Sequence, residues 1–222
     1  MDYLQSPVGT IAANLPGSTS IFQKYGIDFC CAGKQKLADV VSKKQLDAPT
    51  ILRELIALES NPWLQEKDWL NMPTPDLVHY IVSHYHERHR QQLPELVRLA
   101  VKVERVHVNN PDCPHGLAAL LSNILDELQQ HMLKEEDVLF PLIIEGRLAQ
   151  AEMPIYVMEH EHIGHGEHLE RLLALTNQGV PPQGACNTWQ ALYLGVRSFA
   201  QDIIEHIHLE NNVLFARCLQ GD

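Results

Sequence analysis

The chain has 222 residues, 45% of them hydrophobic, and its 28 acidic against 17 basic side chains give a formal net charge of −11. That is enough apolar material for a sizeable core, and the negative balance argues against nucleic acid or an anionic membrane surface as a partner. No run of about eighteen apolar residues offers a membrane span, and the first twenty residues lack the basic and apolar regions of a signal peptide, so a cytoplasmic location is expected.

Residues 1–60 read as a small helical domain. Four short apolar-periodic pieces, at about 8–14, 18–25, 33–44 and 48–59, are separated by Pro16-Gly17, Gly26 and Asp47-Ala48-Pro49. Between the second and third lies 25-YGIDFCCAGK-34, in which Cys30 and Cys31 follow a glycine turn and precede Gly33-Lys34. Two readings stand for this pair. A helix N-terminus and a nearby lysine lower a thiol pKa and make it reactive, whereas cysteines elsewhere are often simply packed. Adjacent cysteines bridge each other only with strain, so no disulfide is expected between them. With Cys113, Cys186 and Cys218 they make an odd set without framework spacing, consistent with reduced thiols.

Residues 61–75 read as a linker rich in proline, with Trp63 and Trp69 available to pack it against the larger domain. Thr74, Pro75 and Asp76 then supply a helix start, with threonine as N-cap and proline in the first turn. Residues 76–222 carry four long helical patterns, at about 75–107 (with a kink expected at Pro94), 116–146, 153–177 and 184–219. Nothing shows sustained strand alternation. The fold class expected is all-α: an antiparallel four-helix bundle preceded by a small helical domain.

The bundle stripes contain polar residues where apolar ones belong. The second runs Leu128, His131, Glu135, Val138, Leu142, and the fourth Ile203, His206, Glu210, Val213. Both repeat His-x3-Glu-x2-Val-Leu-Phe, and a histidine and a glutamate four apart stack on one helix face. The first stripe carries His86 and His89, the third His162 and His165. A buried imidazole or carboxylate must be paired or bound to a metal. His86 precedes His131 by 45 residues and His162 precedes His206 by 44, so the chain reads as two helix pairs, each His … His-x3-Glu, about a pseudo-two-fold axis. His84 and His160 fall about 200° around their helices and are expected outside. His86 and His162 are the preferred donors, with His89 and His165, one turn away on the same face, as the competing pair. Four imidazoles and the bridging carboxylates Glu135 and Glu210 suit two ions, and open nitrogen–oxygen ligation favours iron or manganese over closed structural zinc. Glu127 and Asp202, one turn before the motif histidines, are candidate supporting acids or exposed helix-edge residues.

These residues resemble a known family. The histidine-rich bundle with two His-x3-Glu helices looks like the hemerythrin-like domain. Together with the Cys-Cys segment, 85-YHERHRQQLPEL-96 and the order of the two domains, the whole chain resembles the iron–sulfur cluster repair di-iron proteins, the RIC, YtfE and ScdA group. That resemblance implies a pair of non-haem irons, oxo-bridged, held by His86, His131, Glu135, His162, His206 and Glu210. It implies repair of iron–sulfur proteins damaged by nitric oxide or oxidants, through iron supply, nitric oxide reduction, or both. It further implies that Glu127 and Glu161 lie near the centre or its access path, that Cys30 and Cys31 handle iron, NO or a partner's thiols, and that the protein forms a homodimer. The alternative is an O2- or NO-binding sensor or carrier without turnover.

Overall fold

The computed structural model describes residues 1–59 and 68–220, all helices and connections, with no strand among them beyond one isolated bridge between Pro7 and Lys36. Trp63 lies outside the described residues. The chain divides into two compact units, Met1–Leu77 with Ile207–Asp222, and Val78–His206.

In the first unit four short helices form where apolar periodicity places them: α1 (Val8–Asn14), α2 (Ser18–Lys24), α3 (Leu37–Lys44) and α4 (Ala48–Glu59). Val8, Ile11, Phe22, Leu37, Ile51 and Leu55 are fully buried between them. Helix α3 starts at Leu37 rather than near residue 33, because the preceding loop spends its backbone groups on α1. The amides of Val8 and Gly9 donate to the carbonyls of Gln35 and Gly33, both at 2.9 Å. The Cys30-Cys31 pair therefore sits in this loop, six residues ahead of α3, and not at a helix N-terminus.

The C-terminal residues of the chain close over that loop. The Asn211 and Asn212 amides donate to the carbonyls of Cys30 (2.9 Å) and Phe29 (3.0 Å), and the His208 ring packs edge-on against Phe29 at 5.3 Å. A methyl group at Gly9 or Gly33 would collide with the Asn212 side chain, which explains the two glycines. Arg217 donates to the carbonyls of Trp69, Leu70 and Met72 and to the Thr74 hydroxyl. Thr74 is thus not the expected N-cap: the next helix already begins there, and its hydroxyl is used by Arg217.

Four long helices follow. Helix α5 covers 74–106, α6 covers 117–144, α7 is Leu148–Leu175, and α8 covers 187–220, running from the second unit into the first. In the second unit, α5 to α7 and the first turns of α8 form a helical bundle whose successive members, joined by short connections, run antiparallel. Leu93, Leu96, Leu121, Leu128, Ile155, Leu172, Leu192 and Val196 are among its buried apolar residues. Pro94 lies on the exposed side of α5 without ending it, and α7 begins five residues earlier than its apolar pattern, taking in Pro154. No helix among the described residues is long and apolar enough to cross a membrane.

Three of the long helices are not regular. Each contains a π-helical turn: Ile81–His86 in α5, Glu135–Leu139 in α6 and Glu210–Leu214 in α8. A π-turn takes up extra residues and rotates everything beyond it. In α6 this corrects the predicted stripe. Val138 is 51% exposed and Leu142 half-buried, while Leu139, Phe140 and Ile143 face the core instead.

Candidate metal centre

The bundle brings five of the predicted residues together. His86, Glu135, His162 and His206 have no exposed surface and His131 has 1%. The Nε2 atoms of His86 and His206 face each other at 3.1 Å, as do those of His131 and His162. Glu135 lies between the pairs, with one oxygen 3.5 Å from His86 Nε2 and the other 3.3 Å from His131 Nε2. Donor atoms of His86, Glu135 and His206 lie within 4.8 Å of one another, and so do those of His131, Glu135 and His162. Glu210, four residues after His206 on the same helix, is fully buried.

Two acids on neighbouring helices set the chemistry of these rings. His86 Nδ1 lies 2.6 Å from Glu136 Oε1, and His131 Nδ1 lies 2.9 Å from Glu161 Oε2. A carboxylate accepts, so each Nδ1 carries the proton and each Nε2 points inward as a lone pair. Each acid is also held by a base from the helix of its histidine: Arg90 reaches Glu136 at 2.7 Å, and Lys134 reaches Glu161 at 2.5 Å. The imidazole hydrogen bond, aided by those bases, keeps the Glu136 carboxyl below the ordinary carboxylate range and draws Glu161 down to about 2. Both acids are therefore anionic at neutral pH.

The inward side is different. Neither oxygen of Glu135 has a hydrogen-bond partner. A buried carboxylate facing the lone pairs of two imidazoles is repulsive unless a cation stands between them. These buried His/Glu clusters fit iron: nitrogen and oxygen donors, with His86 and His131 each held in one tautomer.

The other predicted residues are placed differently. His89 is buried beside His206 and Phe199 (5.3 and 5.5 Å between rings), and His165 stands edge-on to His131 at 4.9 Å; neither belongs to the two donor groups around Glu135. His160 is exposed, and His84 is half-buried, stacked on Tyr80. Glu161 is at the centre's edge, as described. Glu127 is exposed, accepting from Asn123 at 3.0 Å and lying 3.2 Å from His168 Nδ1. Asp202 is neither exposed nor joined to a motif histidine, being buried with Arg88 (2.8 Å) and Gln92 (2.7 Å). Glu136 was missed by sequence reasoning, since only the crossing of α6 and α5 joins it to His86.

In the first unit the Cys30 thiol is buried 3.5 Å from Cys31 Sγ, with Asp28 accepting from both backbone amides. The shared hydrogen bond with Cys31, and burial, push the Cys30 pKa well above its ordinary value. Of the two readings of the pair, burial supports the packed one for Cys30. All five cysteines are unbridged.

Comparison with known proteins places this arrangement. Residues 77–218 match the Hemerythrin HHE cation binding domain, and residues 4–59 match the ScdA_N family, described as a domain of unknown function. The chain is 51% identical over 222 residues, the full length of both chains, to the iron-sulfur cluster repair protein YtfE of Yersinia pseudotuberculosis serotype IB (strain PB1/+). It is 50% identical, again over both full chains, to the protein of that name from Yersinia pestis (strain Pestoides F). The chain belongs to the YtfE family of iron–sulfur cluster repair proteins. Its bundle carries that family's cation-binding domain, and the buried histidines and Glu135 all fall inside the matched residues.

Proposed function

We propose that this chain repairs iron–sulfur clusters damaged by nitrosative and oxidative stress, working as a non-haem di-iron protein that supplies iron, reduces nitric oxide, or does both. The observation that carries the reading is Glu135: one fully buried carboxylate without a hydrogen bond, set between two pairs of imidazoles. His86 and His206 would hold one iron and His131 and His162 the other, with Glu135 bridging. Glu210 would add a second carboxylate, because four residues beyond His206 on a helix is the same face.

Bound there, iron supplies Lewis acidity and an electron store. The chain's own residues do the rest. Glu136 and Glu161 hold His86 and His131 in the metal-binding tautomer, and Glu161, whose side chain is 28% exposed, offers a path for protons and ions between the centre and water. The burial of the donors restricts the substrate to a small molecule such as NO or O2. In the other unit, Asp28, Cys30 and Cys31 bring a carboxylate and two sulfurs within 4.8 Å of one another, a donor set suited to transient iron or NO. Five unbridged cysteines support a reducing, cytoplasmic setting. Met153, Tyr156, Val157 and Ile163 leave an exposed apolar stripe on α7, which supports a homodimer through that face.

The test is anaerobic incubation of the reduced protein with NO, following gas consumption and reactivation of a damaged cluster protein together. About two irons per chain, with an oxo-bridge absorption band, is the expected resting state. Zinc in place of iron, or reactivation unchanged by removal of the metal, would overturn the reading.

A further inference from the structure

The pseudo-two-fold repeat has a broken element. His162 follows His86 by 76 residues and His206 follows His131 by 75; at these offsets His165 matches His89, His168 matches Gln92, Gly164 matches Arg88, and Asp202 matches Glu127. In the half containing Asp202 the acid is satisfied by the chain itself, since Arg88 and Gln92 donate to its two oxygens at 2.8 and 2.7 Å. The guanidinium is that acid's cation.

In the half containing Glu127 the arginine position is Gly164, where an added side-chain carbon meets open space, and the glutamine position is His168. Glu127 accepts from Asn123, and its other oxygen lies 3.2 Å from His168 Nδ1 without the angle of a hydrogen bond. His165 is 8% exposed, and its Nε2 is buried with no hydrogen-bond partner. One donor atom from each of Glu127, His165 and His168 lies within 4.8 Å of the other two. His165 and His168 also line a small cavity of about 10 Å³ with Ile124, Leu128, Phe199 and Ile203, room for about one water-sized ligand.

We propose that Glu127, His165 and His168 form a third site, for one divalent first-row transition-metal ion, standing where the other half of the repeat carries Arg88. Two imidazoles and a carboxylate suit such an ion and leave coordination positions open. With the Glu127 side chain 47% exposed, the bound ion exchanges with solvent more readily than an ion held among the fully buried donors around Glu135. The site stands whatever the buried pair holds, since it shares no residue with it.

The test is a Co2+ titration of the iron-loaded full-length protein, read by equilibrium dialysis with metal analysis and by the visible absorption of bound Co2+. One Co2+ per chain is expected to bind without displacing iron. Two variants copy the other half of the repeat, His168→Gln and Gly164→Arg, and each should weaken Co2+ binding roughly tenfold or more. The iron content and iron absorption of His168→Gln should equal those of the wild type, which reports on the buried centre separately. No Co2+ retained by the wild type, or undiminished binding in His168→Gln, overturns the proposal.

Discussion

Glu136 Oε1 lies 2.6 Å from Nδ1 of His86, so the other nitrogen of that ring is a bare lone pair aimed at the centre. Glu161 does the same for His131 at 2.9 Å. Replacing either acid by glutamine removes a charge that polarises the ring and allows the amide N–H to favour the wrong tautomer. We expect iron to dissociate roughly 10–100-fold faster to a chelator from Glu136→Gln or Glu161→Gln than from the wild type. Equal release rates would show that the two acids only tie the helices together.

Glu135 should behave oppositely towards stability and towards metal. Its carboxylate is fully buried without a hydrogen bond, so the metal-free fold pays to keep it there. Glu135→Leu is expected to abolish iron binding while stabilising the metal-free protein by about 1–4 kcal/mol. Urea unfolding of both proteins after chelator treatment measures this, and a destabilised variant would contradict it.

The two vicinal thiols should react unequally. Cys30 is buried with its pKa raised, whereas Cys31 is half-exposed. A raised thiol pKa keeps Cys30 protonated through neutral pH, with its thiolate forming only well above pH 9. Peptide mapping after brief alkylation at pH 7.5 should find label on Cys31 first, and label on Cys30 should rise only at strongly alkaline pH. Equal labelling at neutral pH would contradict the burial.

Gly33 is required by close approach, since a methyl there meets the Phe29 carbonyl at 2.7 Å as well as the Asn212 side chain. The backbone carbonyl cannot move aside. Gly33→Ala is expected to destabilise the first unit by about 1–3 kcal/mol, seen as faster proteolysis around Cys30, with the iron content unchanged.

The exposed stripe on α7 gives a solution test. Tyr156, 65% exposed, lies at its middle. A glutamate there places a charge at the centre of the proposed contact, so Tyr156→Glu should be monomeric by light scattering at concentrations where the wild type is dimeric. A wild-type monomer would remove the dimer from the picture.

Helix periodicity made most of this protein legible in advance, because burial demands one residue type at one spacing. The four short helices, the four long ones and the intrusion of His86, His131, Glu135, His162, His206 and Glu210 into apolar stripes all follow from the order of residues alone. The duplication of His-x3-Glu marked one face on each helix, but His86/His162 and His89/His165 share the same 76-residue offset, so the repeat alone did not separate the two pairs.

What the order of residues could not give is whatever depends on two helices crossing. The π-turns ending at His86 and starting at Glu135 break the 3.6-residue period at the donors themselves, which is why Val138 faces water and Leu139 does not. Glu136 and Glu161 support histidines 50 and 30 residues away, a pairing set by helix packing and not by local spacing. The same holds for Cys30, whose surroundings come from Cys31, Asp28 and the C-terminal residues, not from the helix expected to follow it. The sequence determined which side chains had to be buried; the tertiary structure decided which acid holds each imidazole, because that depends on distance across helices rather than along one.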